Sequence, residues 1–241
     1  MASTTASSPP PLKVLVTLHP GMDTIDLSGP TEIFNYASST PYPTSTPLFK
    51  TTLAAADPVT YTEQQVGIAR DITFTEAHLR LKEWDIIMIP GGKVPPHIDS
   101  GAAEPVGLLK AFQALAEGEK CDSCGHGKAN LRTVFSICTG SIFLQAAGLL
   151  DGRTATTHWG SMDVLRSEKY GKVGKVVEQR FVVNQRRKEE GRALAVITSG
   201  GVSCGMDAAL WLVEVVGDQK AREEVEKMLE YRGRSGEGFL V

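Results

Sequence analysis

Short runs of aliphatic and β-branched residues alternate along this chain with longer stretches in which apolar positions return at helical spacing. Leu12 to Leu18 is the first such run; it predicts a buried strand, closed by His19-Pro20-Gly21. The stretch Asp26 to Phe34 carries helix-start signals, with Ser28 as N-cap and Pro30 early in the helix. A Ser/Thr/Pro loop, Ser38 to Pro47, leads into a second strand over Leu48 to Ala56. Trp84 to Ile89 is a continuous apolar strand closed by Pro90-Gly91-Gly92, and Glu104 to Glu117 has the periodicity of an amphipathic helix. After the polar segment Gly118 to Asn130, the run from Arg132 ends abruptly at Cys138 and passes into a helix over Ile142 to Leu150. Arg153 to Thr157 reads as a short strand. Lys175 to Asn184 and Arg192 to Thr198 read as paired strands joined by a charged turn around Gln185 to Lys188. Two helices follow, an apolar one over Met206 to Val216 and a more polar one over Gln219 to Tyr231.

Strands alternating with helices predict a mostly parallel sheet covered on both faces, because parallel neighbours need crossover connections that are usually helical. The fold class is therefore α/β, doubly wound. In such sheets ligands sit outside the carboxyl ends of the strands, and three predicted strands end in chemically suggestive groups: Pro90-Gly91-Gly92, Cys138-Thr139 and Ser199-Gly200-Gly201.

Composition narrows the function classes. With 241 residues, 41% hydrophobic and 22% charged, the chain suits a single domain, residues 12–241, behind a Ser/Thr/Ala/Pro-rich tail over residues 1–11 expected to be disordered. Twenty-five basic against 28 acidic residues give a net charge of -3, without the electrostatic footprint of a nucleic-acid or anionic-membrane binder. The tail lacks a basic start and an apolar core, so it does not read as a signal peptide, and no run of apolar residues is long enough to span a bilayer. Four cysteines, unevenly spread, do not form a disulfide scaffold and fit a reducing, cytoplasmic compartment.

Cys138 is the candidate nucleophile. A strand that turns sharply into a helix lifts the side chain at the turn out of the sheet, and the unpaired N–H groups of the helix would favour thiolate over thiol. Inert packing is the competing reading of any single cysteine on an apolar strand. A cysteine nucleophile needs a proton-handling partner, for which Asp26 is the candidate, although local sequence alone favours a helix cap there. Gly91 and Gly92 would expose backbone N–H groups to a ligand or oxyanion, or simply form a turn. Thr139 offers an N–H and a hydroxyl beside the sulfur, or a cap. His158 is a base for Cys138 or a strand-end histidine bonded to its surroundings, and Trp159 reads as packing. Cys121-x-x-Cys124-x-His126 has zinc-ligand spacing but lacks a fourth ligand and a second cysteine pair, so no metal site is assigned. Cys204 reads as buried structure.

Seven blocks together resemble the ThiJ/PfpI superfamily: Ile25 to Pro30, Ile89 to Gly92, Ser136 to Ser141, Ala146 to Leu150, Ala155 to Trp159, Gly200 to Asp207 and Leu229 to Tyr231. They run in the family's order over most of the chain, and Asp-Leu-Ser-Gly-Pro with Cys-Thr-Gly-Ser is similar to the isocyanide hydratase branch. The resemblance implies a flavodoxin-like fold with an elbow cysteine, Cys138 as nucleophile, Asp26 as acidic partner and Thr139 shaping the pocket beside the sulfur. It implies a cofactor-free hydratase turning small isocyanides into N-substituted formamides, and a homodimer. The rivals are a glyoxalase- or deglycase-type carbonyl enzyme using the same cysteine, and a non-enzymatic redox sensor. Residues 1–11, the loop from Ser39 to Pro47 and the segment Gly118 to Asn130 look like insertions, and Cys204 stands where a small non-thiol residue is expected.

Overall fold

A computed structural model of the chain describes residues 10–39, 46–118, 132–185 and 194–241. The Cys121/Cys124/His126 group, most of the N-terminal tail and the turn after Gln185 lie outside the described residues. In chain order the elements of the first half are β1 (Leu12–Thr17), α1 (Thr24–Tyr36), β2 (Phe49–Ala55), β3 (Val59–Tyr61), β4 (Gly67–Ala69), β5 (Ile72–Thr73), α2 (Phe74–Leu79), β6 (Ile86–Ile89), α3 (Val94–Asp99) and α4 (Val106–Gly118). The second half continues with β7 (Arg132–Ser136), α5 (Gly140–Ala146), β8 (Thr154–Ala155), α6 (Met162–Arg166), β9 (Lys175–Val176), β10 (Phe181–Gln185), β11 (Leu194–Ser199), α7 (Ser203–Val216), α8 (Gln219–Met228) and β12 (Gly238–Leu240).

Eight strands form one sheet in the order β12-β10-β11-β7-β6-β1-β2-β5. Every neighbouring pair is parallel except β10 with β11, which run antiparallel. The expected strand pair is therefore present, although Lys175 and Val176 leave it to pair with β8 in a small separate sheet. The hairpin of β3 and β4, absent from the sequence reading, lies outside the main sheet.

The period-two alternation of side chains divides the strand residues between two cores. Val14 and Val16 of β1, Ile86 and Met88 of β6, and Phe135 of β7 pack beneath α1, α7 and α8. Leu15, Ile87, Ile89 and Val134 point to the opposite face, against α2, α4, α5 and α6. Central strands buried on both faces have no need of polar alternation, which is why they read as unbroken apolar runs. This is the doubly wound, flavodoxin-like arrangement.

Helix α1 departs from expectation at its start. It begins at Thr24 with Asp23 as the N-cap, so Ser28 and Pro30 lie inside it. Asp23, in an extended conformation, precedes the first helical residue, and the ring at Pro30 leaves the Asp26 carbonyl without its usual donor four residues on. The shift moves Asp26 from a flanking position into the first turn, on the buried face.

Four adjacent strands, β11, β7, β6 and β1, run parallel and so end on the same side of the sheet. Their exits touch. The Cys138 N–H donates to the Gly200 carbonyl at 3.1 Å, and the Ile137 N–H to the Ile89 carbonyl at 3.0 Å. A Cβ on Gly140 would lie 2.5 Å from the Ile89 oxygen. Gly140→Ala is therefore expected to destabilise the fold by about 2–4 kcal/mol in urea unfolding, whereas Gly236→Ala, in open space, should change it by less than about 0.5 kcal/mol.

Candidate active site at the strand ends

Cys138 follows β7 with φ +55°, a backbone conformation that costs a non-glycine residue energy and marks a sharp strand-to-helix turn. The turn is braced on several sides. Besides the Gly200 contact, the Cys138 carbonyl accepts from the Thr157 hydroxyl at 3.0 Å and from the Ser141 hydroxyl at 3.3 Å. The loop after β6 presses against it so closely that a Cβ on Gly91 would lie 2.8 Å from the Cys138 Cβ and 2.6 Å from the Thr139 nitrogen. Only glycine fits there.

Asp26 reaches the same place from α1. It is fully buried, and a carboxylate oxygen of Asp26, one of Asp23 and the Cys138 sulfur all lie within 4.8 Å of one another. The Gly91 N–H donates to Asp26 Oδ2 at 3.0 Å, while Oδ1 is buried with no partner at hydrogen-bonding distance. Asp23 is held away from this role by Gln64, whose Nε2 donates to it at 2.7 Å. These three groups are close enough to share a divalent cation, although each carboxylate already accepts a protein N–H through one of its oxygens.

The electrostatics reverse one expectation. Burial, then the neighbouring charge of Asp23, pushes the Asp26 carboxyl up to about 7, against the hydrogen bond from Gly91 and weaker support from the Cys138 thiol and the Val202 N–H. Burial, then the negative charge of Asp26, pushes the Cys138 thiol up to about 12. The Thr139 N–H at the helix start does favour the thiolate, as foreseen, but it is outweighed. The resting pair at neutral pH is thus a thiol beside a carboxyl poised between its two forms, not a preformed thiolate. Cys138 is only 4% exposed, so little of it is open to a reagent.

The glycine amides also differ from expectation. Gly91 donates to Asp26, and the Gly92 N–H donates to the Thr139 hydroxyl at 2.8 Å, which itself reaches the Gly92 carbonyl at 2.9 Å. Neither amide faces an empty space where an oxyanion would sit; they orient the carboxylate and the threonine. Gly92, at φ +118°, also passes within 2.3 Å of the Gly21 oxygen as measured from an ideal Cβ, a position closed to any side chain. Trp159, expected as packing, is 81% exposed, because its short helical turn leaves the sheet. His158 accepts the Gly160 N–H at 3.2 Å through Nδ1 and lies half-buried beside Trp159.

Two residues at this site were not singled out from the sequence. His19, noted only as a strand terminator, is buried with its ring nitrogens 3.2 Å from the Pro20 carbonyl and 3.3 Å from the Pro90 carbonyl. Burial, then the nearby His97, lowers it to about 4, so it stays neutral and braces the loop that carries Gly91. Val202 adopts φ +41°, which for a β-branched residue is a strained conformation, and its N–H faces Asp26. Gly200-Gly201 before it was the only local signal.

Sequence comparison places this geometry. A protein of Streptomyces lividans described as an uncharacterized protein in the cpoL 5' region is 32% identical over 155 residues, 62% of this chain and 89% of that protein. The DJ-1/PfpI family profile matches residues 125–215, the stretch that contains the elbow. The chain belongs to the DJ-1/PfpI family. Another relative, isonitrile hydratase of Pseudomonas putida, is 32% identical over 147 residues, 61% of this chain and 52% of that protein, so the chain spans about half of its length. A solved ThiJ/PfpI family protein from Pseudomonas syringae shares the fold with a TM-score of 0.66 at 24% identity, covering 92% of this chain and 75% of that one. Members of the DJ-1/PfpI family thus share this scaffold, and the Asp26–Cys138 pair lies on it at the strand ends.

The raised carboxyl has a stability signature. Because Asp26 titrates at about 7 when folded and at 3.8 in its ordinary state, folding takes up a proton between those values, and its contribution to stability falls as pH rises through that window. Asp26→Asn, which keeps an acceptor for Gly91, should match wild type near pH 4 and exceed it by about 2–4 kcal/mol at pH 8 in urea unfolding.

Proposed function

We propose that this protein hydrates isocyanides, R–N≡C, to N-substituted formamides without a metal or organic cofactor, using Cys138 as nucleophile and Asp26 as proton carrier. The observation that carries the reading is the placement of the Cys138 sulfur within 4.8 Å of a buried carboxylate. The 32% identity to an isonitrile hydratase over 147 residues supports it.

The chemistry follows from the paired titrations. A thiol pushed up to about 12 is not deprotonated in advance, so its proton leaves as the sulfur attacks, and Asp26, near 7, is matched to receive it. The sulfur bonds to the terminal isocyanide carbon, and Asp26 returns the proton to that same carbon, giving a thioimidate, R–N=CH–S. Water then adds to this carbon with Asp26 as base. The proton passes to nitrogen, the C–S bond breaks, and the formamide R–NH–CHO leaves as the thiol is restored. The Thr139 N–H, which already faces the sulfur, is the donor best placed to stabilise charge during release. Burial suits the substrate, because an isocyanide offers little for hydrogen bonds to grip.

A carbonyl enzyme acting on methylglyoxal would use the same pair and is the competing enzymatic reading. A non-enzymatic redox sensor would also use this cysteine, through reversible oxidation of the sulfur, and is the competing reading outside catalysis. A homodimer in the cytoplasm, with a small-molecule substrate, belongs to the same proposal. Among the described residues no helix is long and apolar enough to cross a membrane.

Formamide release from an aryl isocyanide tests the reading. Cys138→Ala should abolish it, and Asp26→Asn should lower kcat at least a hundredfold while Cys138 still accepts iodoacetamide. Full activity in Asp26→Asn removes the carboxylate from the mechanism; turnover of methylglyoxal with none of isocyanide replaces the hydratase by the carbonyl enzyme.

A further inference from the structure

A cavity of about 430 Å³ opens beside the elbow. Cys138 is not on its wall, but three wall residues hold the reacting pair directly. Thr157 donates to the Cys138 carbonyl, Gly200 accepts from the Cys138 N–H, and the Val202 N–H faces Asp26. Two other cavities, of about 300 and 590 Å³, adjoin β12 and the C-terminal end of the chain and touch none of these residues.

The wall chemistry points to a neutral occupant. Among the described residues two charged side chains line the cavity: Glu178, an exposed carboxylate 3.9 Å from the Arg166 guanidinium, and Arg180, closed against the fully buried Asp207 carboxylate, which also accepts from the Tyr231 hydroxyl and the Arg234 N–H, each at 2.9 Å. A group so paired offers little charge to a ligand. Trp159 and Met162 supply an exposed indole and a thioether, surfaces suited to a flat apolar group. Gly201 lets the His158 ring close up on the wall: a Cβ there would lie 2.5 Å from it. Cys204 closes one wall, with its sulfur 3.1 Å from where a Gly200 Cβ would be. A cavity of roughly 150 Å³ is enough to hold benzene, so this one takes an aryl or branched alkyl group with room to spare.

We propose that this cavity seats the N-substituent of the substrate as an uncharged aromatic group, and that Cys204 and Trp159 set its size and stacking. The proposal rests on the hydratase reading for the chemistry but not for the binding. The isocyanide carbon then faces Cys138 while the substituent projects past Thr157 and Val202.

The test compares phenyl isocyanide with methyl isocyanide in wild type, Cys204→Met and Trp159→Ala. Each variant should lower the phenyl-to-methyl ratio of kcat/KM at least tenfold, mainly through a higher KM for the phenyl substrate. N-phenylformamide titrated into Cys138→Ala protein should give a saturable change in tryptophan fluorescence that Cys204→Met in the same background weakens at least tenfold. An unchanged ratio in active enzyme, or N-phenylformamide binding indifferent to Cys204, overturns the assignment. Cys204-dependent binding without turnover of either isocyanide upholds the aryl pocket and overturns the hydratase reading instead.

Discussion

A carboxylate fully removed from water, holding one backbone N–H at bonding distance and leaving its second oxygen unpartnered, is the condition around which this molecule is arranged. Burial of an unpaired charge is among the more expensive things a fold can contain. The cost is lowered because the group titrates near neutrality and spends part of its time uncharged. The thiol beside it is raised in turn by the same desolvation and by the carboxylate itself. At neutral pH the sulfur therefore keeps its proton while the carboxyl beside it is divided between its two forms.

Holding that pair in place takes strain, and two strained residues lie at the site. Cys138 and Val202 both adopt left-handed backbone conformations, at φ +55° and +41°, and both follow strands of the central sheet. Neighbouring parallel strands fix the residues before each turn through ladder hydrogen bonds, so the turns cannot relax without breaking register. The Pro90-Gly91-Gly92 loop fills the remaining space at distances that exclude any side chain, and a neutral His19 supports it from the core side. The rigidity of the sheet is what converts unfavourable local geometry into a defined site.

The layered fold was legible because buried parallel strands have nothing polar to interrupt them: Leu12 to Leu18, Trp84 to Ile89 and the run into Cys138 announce themselves as apolar blocks. The elbow was legible too, since a cysteine between an apolar strand and a Gly-Ser helix start has few structural reasons to be there. Its protonation state was not. The N–H groups of a helix are local and visible in the sequence, whereas the charge of Asp26 arrives from a residue far away along the chain, and burial is a property of the finished core. The same limit applies to Gly91 and Gly92: nothing local shows whether their amides are occupied, because the groups that occupy them, Asp26 and Thr139, come from other elements. The start of α1 was misplaced because Ser28 and Pro30 are stronger local signals than Asp23, although tertiary packing follows the latter.

The eight-stranded sheet has a consequence for how the chain acquires reactivity. The groups that meet at its central edge, from α1, the exit of β6, the exit of β7 and the start of α7, are separated by long stretches of sequence and are adjacent only when β1, β6, β7 and β11 lie side by side. Contacts of that range form late, after the loop-closure entropy of each crossover has been overcome. A nascent or partly folded chain thus carries an ordinary, solvated cysteine and an ordinary aspartate. The altered acidity of both emerges only when these strands lie side by side, so chemical competence doubles as a readout of completed folding.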